Sequence, residues 1–372
     1  MTAAATEHLR VGYDISKVLG VPDGIARYGE LLLGGLLARD DHSQFTLCDL
    51  TSDAVDAARV DEIVGAHRAR IRIASDWATN GLDVDLFHSP APALPPAECR
   101  PLVFTLYDVT CISHPECHTL DNRVLALTST ALAACRAARI IAVSHYTKAQ
   151  AIEHLGLPDE QIEVIHLAPD PYFHRTERAD LQHAVADRLG IERPYVLAVG
   201  SLEPRKNLVG LIEGMRRLPA EQRDRLALVV AGPPGWRNEE IHDRLRRAQS
   251  ELSICQVGCV SREDLNVLYS FAEVFVYPSL SEGFGLPVVE AMACGAPVVT
   301  SNCSSLPEVA GKAALLVDPT DPDAIGEAIA RVVSDEATRD DLRARSLARA
   351  RDFSWTRTAA QTFDLYRRVA EG

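Results

Sequence analysis

Two carboxylates, Glu282 and Glu290, stand eight residues apart in the segment Ser281-Glu282-Gly283-Phe284-Gly285-Leu286-Pro287-Val288-Val289-Glu290. Carboxylates accept hydrogen bonds from vicinal hydroxyls, and each charge-assisted bond contributes about 1.5–3 kcal/mol. Gly283 and Gly285 permit φ > 0 and let a ligand approach the backbone, while Pro287 suits the first turn of a helix, where its missing N–H is not needed. The free N–H groups of such a helix start suit an anion, which brings Phe284 and Leu286 into the candidate binding segment. With Glu282 on the loop and Glu290 on the helix, the carboxylates are expected about 10 Å apart, allowing for helical rise plus the loop. That span matches a ribose and a hexose joined by a pyrophosphate. The alternative is two surface glutamates flanking a Gly-rich turn.

A second constellation supplies cations. Gly200-Ser201-Leu202-Glu203-Pro204-Arg205-Lys206-Asn207 directly follows a strongly apolar run, which places Arg205 and Lys206 on the loop at the carboxyl end of a strand. Open α/β sheets bind ligands there, and two adjacent cations would neutralise a pyrophosphate. Taken alone, an Arg-Lys dipeptide is ordinary solvated surface.

Other segments carry less. Gly20-Val21-Pro22-Asp23-Gly24-Ile25-Ala26-Arg27-Tyr28 follows the first strand and opens a helix, resembling a phosphate loop at Gly24 and Ile25 without being one. No G-x-G-x-x-G follows a strand and no G-x-x-x-x-G-K-[ST] occurs, which weakens nicotinamide and ATP chemistry. Asp83 and Asp85 could pass for a metal-binding pair, but they lead straight into a strand and read as a capping turn. Cys111, His114, Cys117 and His118 fall within eight residues. Zinc sites bring ligand pairs from two separate places, so these four read as a polar loop with buried thiols, and no metal is expected.

The elements that position these residues alternate short apolar runs with amphipathic stretches, the pattern of parallel strands joined by helices. The first series of strands is expected at Leu9–Ile15, Gln44–Asp49, Ala69–Ile73, Leu86–Ser89, Leu102–Tyr107, Arg139–Ser144 and Ile162–Ile165, with helices such as Gly24–Arg39 and Arg123–Ala138 between them. The second runs through Tyr195–Gly200, Ala227–Gly232, Ile254–Val257, Val274–Pro278, Pro297–Thr300 and Ala314–Val317. Two doubly wound α/β domains facing one another follow, residues 1–170 and 171–352, with Leu167–Arg178 as the linker. Trp355, Phe363 and Tyr366 fall at helical spacing, so residues 353–372 are expected to form an amphipathic helix covering a domain, with the first as its partner.

Composition agrees. At 372 residues the chain exceeds what one core usually supports, and 47% hydrophobic with 24% charged residues is the balance of a globular protein. A net charge of -14 argues against a nucleic-acid-binding surface. No apolar run approaches the roughly 20 residues of a membrane span, no signal-like start is present, and the odd count of nine cysteines suits reduced thiols, so a cytoplasmic protein is expected.

Together these residues resemble the retaining glycosyltransferases of group 1 (family 4), which have the GT-B fold. The resemblance rests on the E-x7-E pair Glu282 and Glu290 within SEGFGLPVVEAMACGAPVV, and on GSLEPRKN, VSHYTKAQAIEHLGL, GIARY and the closing FSW. It implies that Glu282 contacts donor-sugar hydroxyls, Glu290 the ribose, and Arg205 and Lys206 the diphosphate. Many members place Arg where Ser201 stands, and His where Tyr107 precedes Asp108. The cationic work then falls wholly on Arg205 and Lys206. Tyr107 and Asp108 are expected at the mouth of an interdomain cleft, with the Tyr107 hydroxyl on the donor sugar and Asp108 orienting the acceptor or nearby groups; the alternative is an aromatic strand end and a helix or turn cap.

The resemblance further implies metal-independent transfer without a cofactor beyond the nucleotide-sugar co-substrate. GDP-mannose is favoured by the GSLEPRKN form, with UDP-glucose, UDP-N-acetylglucosamine and dTDP-rhamnose as alternatives, and the base is read by backbone near Gly258, Cys259 and Val260. The acceptor is a glycan, a lipid-linked sugar or a small molecule, and peripheral contact with a membrane is allowed. Two other functions remain open: a nucleotide-sugar-binding protein without turnover, and a sugar-nucleotide epimerase on the same fold.

Overall fold

Parallel strands covered on both faces read as unbroken apolar runs, and such runs here become two separate sheets. The computed structural model describes residues 8–20, 23–39, 42–50, 56–74, 82–91 and 101–372. The first sheet holds β1 (Arg10–Asp14), β2 (Gln44–Cys48), β3 (Ile71–Ile73), β4 (Leu86–Ser89), β5 (Leu102–Leu106), β6 (Ala137–Ala142) and β7 (Ile162–Val164). The second holds β8 (Tyr195–Val199), β9 (Ala227–Ala231), β10 (Ser253–Gly258), β11 (Val274–Tyr277), β12 (Val298–Ser301) and β13 (Ala314–Val317). Their orders are β3-β2-β1-β4-β5-β6-β7 and β10-β9-β8-β11-β12-β13. Neighbours pair in parallel throughout, as in the β1 pairs with β2 and β4 and the β8 pairs with β9 and β11.

Differences from the expected strands lie at their ends and have local causes. β6 starts at Ala137 and stops at Ala142, because Ser144 caps the helix His145–Leu155 instead, its Oγ accepting the Thr147 N–H at 3.0 Å. Ahead of β3, residues Gly65–Arg70 form a 3₁₀ turn.

The chain packs as two units. One comprises Met1–Val109, Val124–Leu167 and Ser354–Gly372, the other Thr110–Arg123 and Ala168–Phe353. The expected division at residue 170 therefore misses residues 110–123, which group with the second half. There the Trp236 Nε1–H donates to the Cys117 carbonyl at 2.7 Å and the His118 ring stacks on the indole at 5.8 Å. Within the expected linker, Asp170 is buried, accepts the Tyr172 N–H at 2.9 Å and pairs with Arg262, and Phe173 lies edge-on to Tyr269.

In the first unit the closing helix Trp355–Ala370 buries Trp355, Phe363, Leu365 and Tyr366. A polar chain runs beneath it. The Tyr366 hydroxyl meets His88 Nδ1 at 2.5 Å, His88 Nε2 meets Thr105 Oγ1 at 2.9 Å, and the Tyr28 hydroxyl meets the same Thr105 oxygen at 3.1 Å. Burial pushes the His88 imidazole down to about 3, so the ring is neutral and serves as one donor and one acceptor. Among the described residues, no helix is long and apolar enough to cross a membrane.

Candidate active site

In a doubly wound sheet, ligands bind beyond the carboxyl ends of the strands where the strand order reverses. In the second sheet that point lies between β8 and β11, which are adjacent although β9 and β10 intervene in sequence. β8 leads into the turn Pro204–Lys206, and β11 into the loop that carries Glu282. Segments far apart in sequence are thus joined at the switch point by the topology alone.

Four charged side chains meet there. Arg205 donates to Glu282 Oε2 at 2.7 Å, to the Ser281 carbonyl at 2.8 Å and to Glu203 Oε1 at 2.7 Å. Lys206 Nζ donates to Glu282 Oε1 at 2.8 Å and to the Tyr277 hydroxyl at 2.6 Å. The same Glu282 oxygen accepts from Tyr277 at 2.9 Å and Ser279 at 2.6 Å. The Arg205 and Lys206 side chains keep only 12% and 16% of their exposure, so the solvated-surface reading of the dipeptide does not apply.

Charge and burial compete at each member. Burial raises the Glu282 carboxyl, but Arg205 and then Lys206 outweigh it and hold it at about 2, so it is ionised at any working pH. Burial lowers the Lys206 ammonium and neighbouring Arg205 adds to this, opposed by the carboxylates. Burial also raises Glu203, whose second oxygen is without a hydrogen-bond partner.

Backbone geometry brings the loops together. Gly285 has φ 96°, and a Cβ there would meet Leu306 at 2.7 Å, so this position needs glycine to start the helix Leu286–Ala293 with Pro287 in its first turn. Gly283, expected to share this role, has no positive φ. The Glu282 N–H instead donates to Ser304 Oγ at 3.1 Å, and its carbonyl accepts from Ser305 at 2.9 Å, which fixes this part of the loop. Gly232 approaches Gly200 so closely that a Cβ would lie 2.0 Å from the Gly200 carbonyl oxygen.

Other expected residues divide by place. Glu290, on the helix Leu286–Ala293, is half-buried, and its Oε2 accepts from Tyr269 at 3.3 Å, outside the ion-pair cluster. The Phe284 ring is buried edge-on to Phe353 at 5.6 Å, so its side chain serves packing, while Leu286 opens the helix. Ser201 lines a small cavity with Lys206 and Tyr277. Gly258 ends the edge strand β10, with Val260 just beyond, and accepts the Gly232 N–H at 2.8 Å.

In the first unit, Asp108 is half-buried just past the carboxyl end of β5. The Tyr107 hydroxyl donates to the Pro90 carbonyl and its ring lies edge-on to Tyr28. Gly24 opens the helix Gly24–Leu37 with Ile25 next, capped by Asp23, whose Oδ1 accepts the Ala26 N–H at 2.8 Å. Val21 and Pro22 lie outside the described residues. Asp83 and Asp85 both engage Arg10 at the amino end of β1, at 2.5 and 2.6 Å. Cys111 and Cys117 are buried, while His114 and His118 bond to Ser113 and Thr110.

Sequence reasoning passed over Glu203, Tyr277 and Ser279. Glu203 sat inside a motif chosen for its cations, where an acid two residues before an arginine was a usable signal. Tyr277 and Ser279 flank the end of β11 and carried none.

A family model described as "Glycosyl transferases group 1" matches residues 186–349, and one described as "Glycosyltransferase Family 4" matches residues 55–171. The O-antigen chain mannosyltransferase B of Escherichia coli is 36% identical over 291 residues, covering 78% of this chain and 76% of that protein. The serotype-specific mannosyltransferase WbdA of Escherichia coli is 34% identical over 241 residues, which span 63% of this chain but 29% of that longer protein. Among solved structures, Anabaena Alr3699/HepE in complex with UDP and glucose superposes with a TM-score of 0.73 at 20% identity, covering 96% of this chain and 99% of that one, and shares the GT-B arrangement of two Rossmann-like sheets.

Proposed function

Because the chain belongs to the group-1, family 4 glycosyltransferases, we propose that it moves a hexose from a nucleoside-diphosphate sugar to a glycan, lipid-linked or small-molecule acceptor, retaining configuration and using no divalent metal. The observation that carries this reading is the placement of Arg205 and Lys206 at the switch point, held by Glu282. Two fixed cations in a site largely shielded from water stabilise the charge that develops on a departing diphosphate. Mannose is the favoured hexose and GDP-mannose the favoured donor, on the strength of the GSLEPRKN segment and the Escherichia coli relative named as a mannosyltransferase. The reaction is placed in the cytoplasm, and the co-substrate stands in place of any cofactor.

In this mechanism the acceptor hydroxyl oxygen bonds to the anomeric carbon while the bond from that carbon to the diphosphate oxygen breaks. The electron pair leaves with the diphosphate, and the departing phosphate oxygen takes the acceptor proton. Both Glu282 oxygens are taken by four donors, which argues against attack by this carboxylate and assigns it the role of holding the cations in place. The binding-protein and epimerase alternatives are not favoured beside relatives named as transferases.

The test is turnover of GDP-mannose and UDP-sugars in EDTA. Arg205→Ala and Lys206→Ala should each cost roughly 100- to 1,000-fold, by analogy with other lost electrostatic donors. Near-native turnover in both variants would remove the cations from the chemistry. Activity abolished by EDTA and restored by manganese would remove metal independence.

A further inference from the structure

Large apolar side chains that reach solvent are concentrated on one element. Of the seven found among the described residues, Leu120, Val124, Leu125, Leu127 and Leu132 lie on the helix Leu120–Arg136, with exposures between 43% and 72%. The buried side of that helix consists of Thr130, Ala133 and Ala134. It is therefore seated by small residues and turns its larger apolar ones outward, the reverse of an ordinary surface helix. Contiguous exposed apolar surface of this kind marks an interaction face.

The outward face has an internal order. Asp121, Leu125, Thr128, Leu132 and Arg136 follow at intervals of four, three, four and four residues, which sets them along one stripe. About a point between Thr128 and Ser129 that stripe is complementary to its own reversed copy: an antiparallel helix sets Leu125 against Leu132 and Asp121 opposite Arg136, at both ends. We infer that this face docks a second copy of the chain, through antiparallel two-fold pairing of the helix Leu120–Arg136. A two-fold contact requires this reciprocity, because each residue must meet its counterpart in both directions. A lipid surface would instead favour Lys and Arg along both flanks of the apolar stripe. This helix carries two arginines, one aspartate and no lysine, in a chain of net charge -14. A helix of 17 residues is about 25 Å long, so the contact is small and the dimer is concentration-dependent.

The test is sedimentation of the full chain over a concentration series. Reductant is present throughout, because Cys135 on the same helix is exposed. The wild type should shift from monomer to dimer, and the double variant Leu125→Asp/Leu132→Asp should stay monomeric with an unchanged Tm. Asp121→Arg and Arg136→Asp each set like charges together at both ends and should weaken the dimer about tenfold, while the combined swap restores it. That rescue decides the matter even if the leucine variant folds poorly. A wild type that is monomeric at every concentration would overturn the inference, as would a dimer indifferent to all four variants. So would a monomer captured by phosphatidylglycerol–phosphatidylethanolamine vesicles through the two leucines, which would assign the face to lipid.

Discussion

Glu282 and Glu290 share a motif, but their surroundings assign them different work. Glu282 is 6% exposed and holds two cations, so Glu282→Gln leaves Arg205 and Lys206 without their shared counter-charge in a buried site. It should lower kcat more than it raises the KM for donor, because the cations act on charge that appears only as the bond breaks. Glu290 accepts from the Tyr269 hydroxyl at 3.3 Å, outside that cluster, and Glu290→Ala should mainly raise the KM, as expected for a contact made equally before and during reaction. Steady-state kinetics on both variants check this; matching changes in kcat and KM would abolish the distinction.

Two buried groups of the first unit make stability depend on pH in opposite directions. His88 titrates at about 3 when folded against about 6.5 unfolded, so between those values the unfolded chain binds the extra proton and stability falls as pH falls. Burial, with a smaller contribution from Asp49, raises Asp14 to about 6, so the folded state binds the extra proton between about 4 and 6 and stability falls as pH rises. The two slopes oppose each other across that window. In urea unfolding series between pH 4 and 6, His88→Gln should therefore lose stability with rising pH by up to about 1.4 kcal/mol per unit relative to wild type, and Asp14→Asn should show the reverse. Parallel profiles for wild type and both variants would show that neither group titrates as placed.

At the scale of elements, the strands were readable because parallel strands buried on both faces need continuous apolar runs, and LVFTL, ALVVA and VFVY supply them. Helix starts were readable where a cap or Pro marks them, as at Asp23 and Pro287. What sequence could not show is pairing across long separations. Arg205 meets Glu282 across 77 residues because β8 neighbours β11, and the local pattern of neither loop records that. The strand-end position of Tyr107 was legible in the same way, but the Pro90 carbonyl that takes its hydroxyl belongs to a different strand's loop. Gly283 and Gly285 look alike as letters, and the φ of 96° at Gly285 with the packing of Leu306 against it separates them.

At the scale of the whole molecule, the last helix of the chain belongs to the unit begun by the first strand. The Thr358 hydroxyl donates to the His166 carbonyl at 2.8 Å, the Tyr366 hydroxyl meets His88, and a Cβ on Gly35 would touch Ala359 at 3.0 Å. A fragment ending at residue 167 lacks all of these partners and leaves His88 and Thr105 uncovered. It should be soluble and cooperatively folded only when a peptide of residues 354–372 is added, as read by circular dichroism melting; a fragment that melts cooperatively alone would show the helix to be dispensable.

The order of synthesis gives this arrangement a further meaning. A ribosome delivers the second sheet, down to Phe353, before the helix that closes the first. Until then the half that starts first displays the surface that Trp355, Phe363 and Tyr366 will cover, a target for chaperones or for the same helix of a neighbouring nascent chain. Termination directly after Phe353 would accordingly leave the earlier half unfinished and the later half whole.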